Sequence, residues 1–364
     1  MTDVIASIGL PEIVAGVMVL ALNAYVLTGG ADFGGGVWDL FARGPRRTEQ
    51  RALIAGAIGP IWEANHVWLI LVLVILFTAF PDAFAALVIV LHIPLSLMLV
   101  GIVLRGSSFV FRSYGARDDA SQRRWGRVFA ATSIITPVLL GVIVGAIASG
   151  AVGDAAELLP VPGVAVNRAA PNFSSVFIAP WLAPFPLALG ALTLAMFGFL
   201  AAVYLTLAAR DHVMRDLFRK RALVSAAAVF GTAFAALGVA FTHVPHVGRA
   251  LMLLQWSLPL QAATGLAALT AIWALVARKW RVARVAAALQ VSLILWGWVL
   301  AQYPLIVPPT HTLRDAAAPD ITLQLVLWGC AGGSVVLLPS LAYLFKTFAA
   351  PHSTTEDGAD QVRR

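Results

Sequence analysis

Cysteine and charge are the scarce materials of this 364-residue chain. There is one cysteine, Cys330, so neither a disulfide framework nor a cysteine-built metal site is available. Charged residues make up 12% of the sequence, about half the share of an ordinary soluble domain. No GxxxxGK phosphate loop occurs, which disfavours an ATP-driven pump, and no hydrolase constellation is visible. What fills the chain instead is apolar: 60% of residues are hydrophobic and the mean hydropathy is +0.86. A soluble core cannot hide that much apolar surface, so the chain reads as an integral membrane protein. The net charge of +7 would suggest a nucleic-acid partner in a soluble protein. Here the position of the basic residues matters more than their sum.

A membrane-crossing helix needs about 20 mainly apolar residues. Nine stretches qualify, at roughly 11–41, 50–78, 83–105, 126–150, 184–208, 222–242, 254–277, 283–304 and 321–348. They are too long and too uniformly apolar for barrel strands, which alternate. The fold class is therefore all-α and polytopic. Of the 25 Lys and Arg, 22 fall in alternate loops and at the C-terminal end; only Arg168, Arg249 and Arg314 lie on the other side. The positive-inside rule then puts the N-terminus outside and the C-terminus in the cytoplasm. An odd helix count agrees with that result, and the charge becomes topological, with no nucleic acid implied. MTDVIASIGLPE lacks a basic n-region, so no cleavable signal peptide is expected. Residues 1–350 read as one transmembrane domain. The polar tail 351–364 is expected to be disordered. The longest outer connection, 151–183, is Pro-rich.

Ionisable groups at membrane depth are costly and mark candidate functional sites. Asp32 lies in TGGADFGGGVWDLF, late in the first span, among five glycines. Each Gly weakens a helix by about 1 kcal/mol relative to Ala. Close packing, with Gly30 and Gly34 as a small-xxx-small pair, is one reason for them; local unwinding beside the carboxylate is the other. Asp39, on the same face, is expected to be solvated. Glu63 sits in IGPIWEANHVWLI, some twelve residues into the second span and thus near the bilayer middle. Pro60 precedes it and is expected to kink the helix. A carboxyl group in a dry region suits proton exchange; a structural pairing with His66, one turn on, is the alternative. Asn65 lies beside them. His92, on the third span, is placed in the outer half with His66. Two imidazoles at one depth could ligate a haem; two hydrogen-bonded core histidines are the plainer reading. HVPH at 243–246 is a weak metal motif because Pro245 breaks the helix that would align the pair. Arg105 either snorkels or pairs with Asp32. Trp296, Trp298 and Tyr303 read as an interfacial belt, with Gln302 either a ligand contact or an interface residue. Asp32 nearer the cytoplasm and Glu63 nearer the middle suggest the start of a proton relay. That is compatible with a proton-coupled secondary transporter, although no second broken helix matches the Gly-rich stretch.

The pairing of LTGGADFGGGVWDLF with IGPIWEANHVWLI, followed by LRGSSFVFRSYG, AQYPLIVPP and LLPSLAYLFKTF, resembles subunit II of the cytochrome bd quinol oxidases, in its cyanide-insensitive branch. The resemblance runs from Tyr25 to Phe348. It implies a fold of two four-helix bundles plus one peripheral helix. It also implies an assembly in the bacterial inner membrane that oxidises quinol and reduces oxygen to water. The partner would be a haem-bearing subunit I carrying b-type haems, haem d and the quinol-oxidation site; a small single-helix accessory subunit is a further candidate. No catalytic residue is expected in this chain, and a structural quinone is a further ligand candidate. The resemblance gives acids at the positions of Asp32 and Glu63 a role in proton delivery, with Asn65, His66, Arg105, Gly30 and Gly34 as supporting polar or packing residues. This chain has Glu where other members have Asp at the second position, and Gly29 where some have an acid, so the entrance of the path differs. Haem ligation by His66 and His92 loses ground, because the family places it in subunit I.

Overall fold

A computed structural model describes residues 8–58, 62–114, 119–159 and 172–349. Among these, nine helices are long and apolar enough to cross a membrane. Helices dominate because lipid offers backbone N–H and C=O groups no partners, and a helix satisfies them within itself. In chain order the elements are α1 (Leu10–Leu40), α2 (Arg47–Ile58), α3 (Trp62–Ala79), α4 (Pro81–Val90), α5 (His92–Tyr114), α6 (Asp119–Ala148), α7 (Ala151–Glu157) and α8 (Phe173–Phe177). There follow α9 (Pro184–Ala208), α10 (His212–His243), α11 (Pro245–Leu253), α12 (Ser257–Val276) and α13 (Trp280–Gln302). A small antiparallel hairpin, β1 (Leu305–Val307) with β2 (His311–Thr312), leads to α14 (Asp320–Ala349).

Helices α1, α3, α5 and α6 form one four-helix bundle, and α9, α10, α12 and α13 form a second. The bundles meet where α9 packs on α6 and α1. α9 is apolar on every side and buries Phe197, Phe199, Leu200, Ala202 and Val203, as a central helix should. α14 is the peripheral helix: it touches α1 and α3, yet Trp328, Val335 and Val336 are at least 70% exposed.

The seam between the bundles depends on missing side chains. A Cβ on Gly30 would stand 2.7 Å from the Phe197 ring, and one on Gly34 would overlap the Phe197 carbonyl oxygen. The Trp38 indole N–H completes the seam by donating to the Gly198 carbonyl at 2.8 Å. α1 is helical without interruption through Gly29–Gly36. The glycines therefore serve packing, and local unwinding is not what they provide.

Three boundaries differ from the hydropathy reading. The described part of the stretch 50–78 falls in α2 and α3, and 59–61 between them lie outside the described residues. α2 is amphipathic and buries Ile54 against Leu205, Met214 and Phe218 at the arginine-rich end of the molecule; the apolar segment of membrane length is α3. Pro60 lies outside the described residues. The stretch 83–105 is divided at Leu91. Pro94, the third residue of α5, has no N–H for the Val90 carbonyl, which breaks the α-helical ladder there. α4, at ten residues, is only about 15 Å long; the third span begins at His92. α10 begins ten residues before 222, capped by Asp211, whose carboxylate accepts from the Met214 N–H at 2.8 Å. Hydrogen bonds from Arg46 hold that carboxyl down at about 2. The charged run after Asp211 is thus helix that emerges from the apolar layer. The expected tail 351–364, and 160–171 of the outer connection, lie outside the described residues.

Replacing Gly34 by Leu would force backbone apart and is expected to cost about 3 kcal/mol or more. Gly265→Leu, where nothing lies within 4 Å, should change little. Helix melting of both variants in detergent, followed by circular dichroism, checks the contrast.

Candidate functional site

The candidate site occupies the interior and one outer face of the first bundle. At its centre Arg105 and Asp32 make a fork-to-fork ion pair. Nη2 donates to Asp32 Oδ1 at 2.7 Å and Nη1 to Oδ2 at 2.9 Å. Nη2 also donates to the Asp32 carbonyl at 2.9 Å, and Nε to Ser133 Oγ at 3.2 Å. Both side chains are 2% exposed. Phe33 and Phe129 stack against the guanidinium, 4.7 and 5.1 Å from its carbon, a cation–π arrangement that offsets part of the lost hydration. Ser133 reaches this place because Gly36 opposite it has no side chain; a Cβ there would overlap its hydroxyl. Arg105 therefore pairs and does not snorkel.

Asp39 is not solvated. It is 2% exposed and accepts from both Arg112 amino groups at 3.1 and 3.2 Å, with Arg51 Nε at 3.7 Å. The two acids of α1 are thus each held by an arginine of α5 seven residues apart, on one face of each helix.

Glu63 sits elsewhere than the middle of a long span. It is in the first turn of α3 and is exposed on the surface of the chain. Among the described residues it has no ion-pair or hydrogen-bond partner. Its depth follows from helix register. Asn65, 1% exposed, directs Nδ2 at the Thr28 carbonyl across a long 3.5 Å contact. Asp32 lies four residues from Thr28 and Glu63 two from Asn65, both toward the arginine-rich end. At 1.5 Å per residue the two acids differ in depth by only about 3 Å. They stand side by side in one layer, one inside the bundle and one on its surface, and are not staggered along the membrane normal. A count from residue 50 places Glu63 too far along, because the apolar segment of membrane length begins at Trp62.

His66 lies one turn beyond Glu63 on α3. Its ring packs among Tyr25 (centroids 6.0 Å apart), Phe33 (6.3 Å) and Trp62 (6.4 Å). Its Nδ1 is buried without a partner. His92 is far from it. Trp62 abuts Gly106; from that level His66 is four residues outward and His92 fourteen, a separation of about 15 Å along the bundle. His92 is exposed, with Nδ1 at 2.9 Å from the Ile89 carbonyl and its ring edge-on to Phe177. The two imidazoles do not share a depth, so they cannot hold one haem between them. His243 and His246 also diverge, the former against Thr242 and the latter 3.2 Å from the Ala148 carbonyl. Among the described residues no cluster of His, Cys, Asp or Glu is arranged for a metal.

Beyond the polar layer, toward the opposite end, the bundle borders a partly open 240 Å³ apolar pocket lined by residues such as Leu22, Leu69, Met98 and Leu140. Trp298 and Gln302 of α13 stand at its far rim; Trp298 Nε1 and Gln302 Oε1 are buried without partners, while Gln302 Nε2 donates to the Ile306 carbonyl at 3.0 Å. Trp298 therefore faces a cavity as well as an interface.

The sequence profile of the family "Cytochrome bd terminal oxidase subunit II" matches residues 10–348. The chain belongs to that family. Subunit 2 of the cytochrome bd ubiquinol oxidase of Bacillus subtilis is 37% identical over 128 residues, which is 35% of this chain and 36% of the relative. Subunit 2 of the cytochrome bd-I ubiquinol oxidase of Escherichia coli K12 is 30% identical over 129 residues, covering 35% and 33%. These matches span about a third of the length of the curated relatives. The bd oxidase structure from Geobacillus thermodenitrificans superposes with a TM-score of 0.74 over 93% of this chain and 98% of its own, at 22% identity; at that identity the likeness speaks for the fold. The chain is a multi-pass membrane protein with the two-bundle fold of its family. The transporter alternative gains nothing from these matches, and its expected unwound break at the glycines is absent from α1.

Sequence reasoning missed Ser133, Thr136, Phe33, Phe129 and Tyr25 as companions of the acids. Ser133 and Thr136 carry one signal, small hydroxyls in the apolar run ATSIITP; the three aromatic residues carry none.

Asp32→Asn or Arg105→Leu, each leaving one buried charge behind, is expected to cost about 3–5 kcal/mol. The double variant Asp32→Leu/Arg105→Met should recover much of that loss. Thermal unfolding of the three variants in detergent closes the cycle; additive single losses would mean that the pair is not coupled.

Proposed function

We propose that this chain is subunit II of a bd-type terminal oxidase, a quinol:oxygen oxidoreductase of the bacterial inner membrane that oxidises quinol and reduces oxygen to water. The observation that carries the reading is the family match across residues 10–348. The arginine-rich end faces the cytoplasm, by the positive-inside rule, with the N-terminus outside. The b-type haems and haem d belong to the partner, subunit I; a small single-helix accessory subunit is a further partner. Within this chain His66 and His92 do not fit a shared haem, and no step of the reaction is assigned to them as ligands.

Glu63 supports the location of the partner. A carboxylate exposed on an apolar helix surface is costly if lipid covers it. A protein partner with polar groups of its own resolves that cost, so subunit I covers the face of α3 that carries Glu63. In this reading Glu63 hands protons from the cytoplasmic side to that partner. Asp32 contributes from the same layer as the fixed negative member of its ion pair, keeping the polar layer oriented beside Glu63; Gly30, Gly34 and Arg105 hold it there. The 240 Å³ pocket suits a structural quinone: its walls are apolar, and Trp298 and Gln302 are among its lining.

Two measurements test this. The tagged chain, purified in mild detergent, should bring down a larger subunit and give b- and d-type haem bands in a reduced-minus-oxidised spectrum; a colourless chain purified alone from cells making it at native level would refute the oxidase reading. Glu63→Gln and Glu63→Ala should lower quinol-dependent oxygen consumption at least tenfold, as for loss of a proton-transfer group (about 10²–10⁴ at the upper range). Wild-type turnover with normal haem content in both variants would remove Glu63 from the path.

A further inference from the structure

Basic residues at the arginine-rich end differ in what holds them. Arg46 pairs with Asp211 and Glu49, and Arg112 with Asp39. Arg221 donates to the Phe41 carbonyl and to Gln50. The turn between α12 and α13 is different. Its sequence, ARKWRVAR, places Arg278, Lys279, Arg281 and Arg284 within seven residues, and all four side chains are exposed. Asp216 of α10 pairs with Arg278 at 3.3 Å, and it is shared with Arg219, also at 3.3 Å. Among the described residues, Lys279, Arg281 and Arg284 have no acidic partner.

The backbone keeps these cations close. Only Ala277, Arg278 and Lys279 separate the two helices. The Lys279 N–H donates to the Ala274 carbonyl at 2.8 Å, with Arg278 in the left-handed region at φ 58°; this closed turn is a common helix ending. Lys279 immediately precedes α13, and Arg281 follows two residues later. Arg281 and Arg284 are three apart on the helix, which sets their Cβ atoms about 5–6 Å from each other. Like charges at such spacing repel, so an anion that no side chain supplies would stabilise the cluster.

The same turn borders an apolar surface. On α12, Trp273 is 53% and Val276 60% exposed; on α13, Val282 and Val285 are exposed. The alanines of both helices, such as Ala274 and Ala283, take the buried side. Lys279 Nζ lies 4.8 Å from the centre of the Trp273 ring, so the ammonium sits at the edge of the apolar wall. The Arg284 guanidinium likewise lies 5.0 Å from the Tyr204 ring. Cations bordering exposed hydrocarbon match a molecule with an acidic head and an apolar tail. The turn belongs to the second bundle, whereas the proposed contact with subunit I is on α3 of the first.

We propose that the α12–α13 turn binds an anionic phospholipid of the leaflet at the arginine-rich end. Its phosphate is held by Lys279, Arg281 and Arg284, and an acyl chain runs along Trp273 and Val276. Lys and Arg stems can cover apolar surface while their heads reach the phosphate. A zwitterionic lipid brings its own cation to the same place and loses this advantage.

Quenching of Trp273 tests it. The protein, with the subunits that accompany it, is stripped of lipid in detergent. It is then titrated with phosphatidylglycerol or phosphatidylcholine carrying brominated acyl chains, which quench tryptophan on contact. Subtracting the signal of Trp273→Phe isolates Trp273. Phosphatidylglycerol should act at a concentration about tenfold lower or more, since each basic residue near a membrane surface attracts anionic lipid by roughly fivefold. Lys279→Gln/Arg281→Gln/Arg284→Gln should abolish that preference. Arg43→Gln/Arg47→Gln, at exposed cations elsewhere on the same end, should keep it. Arg281→Gln alone, at a side chain with no partner to lose, should lower it severalfold even if the triple variant fails to fold. Equal midpoints for the two lipids overturn the site. So does a preference that survives the triple variant, or one that the Arg43/Arg47 control lowers as much, which would reduce it to net charge. The readout needs neither haem nor turnover, so it is separate from the oxidase reading.

Discussion

The close approach of α1 to α9 is the contact on which the rest of the molecule depends. At Gly30 and Gly34 the two helices touch backbone to ring and backbone to backbone, and no side chain larger than hydrogen fits. In lipid there is no hydrophobic force between helices, so association relies on dense packing and interhelical hydrogen bonds. The glycine seam provides the first and the Trp38–Gly198 bond the second. Because α1 also belongs to the first bundle, this seam fixes how the two bundles sit. It also fixes the rotation of α1, and with it the direction in which Asp32 and Asp39 point.

That rotation sends both acids inward, to arginines of α5. The pairing has a functional consequence. A bidentate arginine–carboxylate pair with an additional bond to Ser133 is a rigid polar layer, and its desolvation is borne by two aromatic faces and a hydroxyl. Glu63, in contrast, has no such cage. Of two acids at nearly one depth, one is built into the bundle and the other is offered to whatever covers α3. An exposed carboxylate in an apolar helix face suits the proposed reading, in which a partner subunit covers α3. The different surroundings of the two carboxylates thus come from packing, since their chemistry is the same.

Much of this could be read in advance. Nine spans, the alternation of basic loops and the acids at membrane depth follow from hydropathy and charge, and the paired TGGADFGGG and WEANH motifs point to the family. Other features could not be read. The break at Leu91 depends on Pro94, whose effect in an otherwise apolar run looks no different from a tolerated kink. Glu63 lies nearer the arginine-rich end than a count from residue 50 gives, because the apolar segment of membrane length begins at Trp62. His66 and His92 were set at one depth by the same kind of counting.

Hydropathy and charge placement are summed over windows of residues, and a membrane responds to those sums. For that reason the helical class, the number of spans and the segregation of basic residues to one end are legible from the amino acids alone. The partner of a buried group is decided by helix rotation and register, where one residue turns a side chain by about 100°. That Asp39 is caged and that Glu63 faces outward emerge only with the helices packed. Each of these depends on how closely two helices approach, and that distance is set by glycines whose role appears only when the opposing surface is in place.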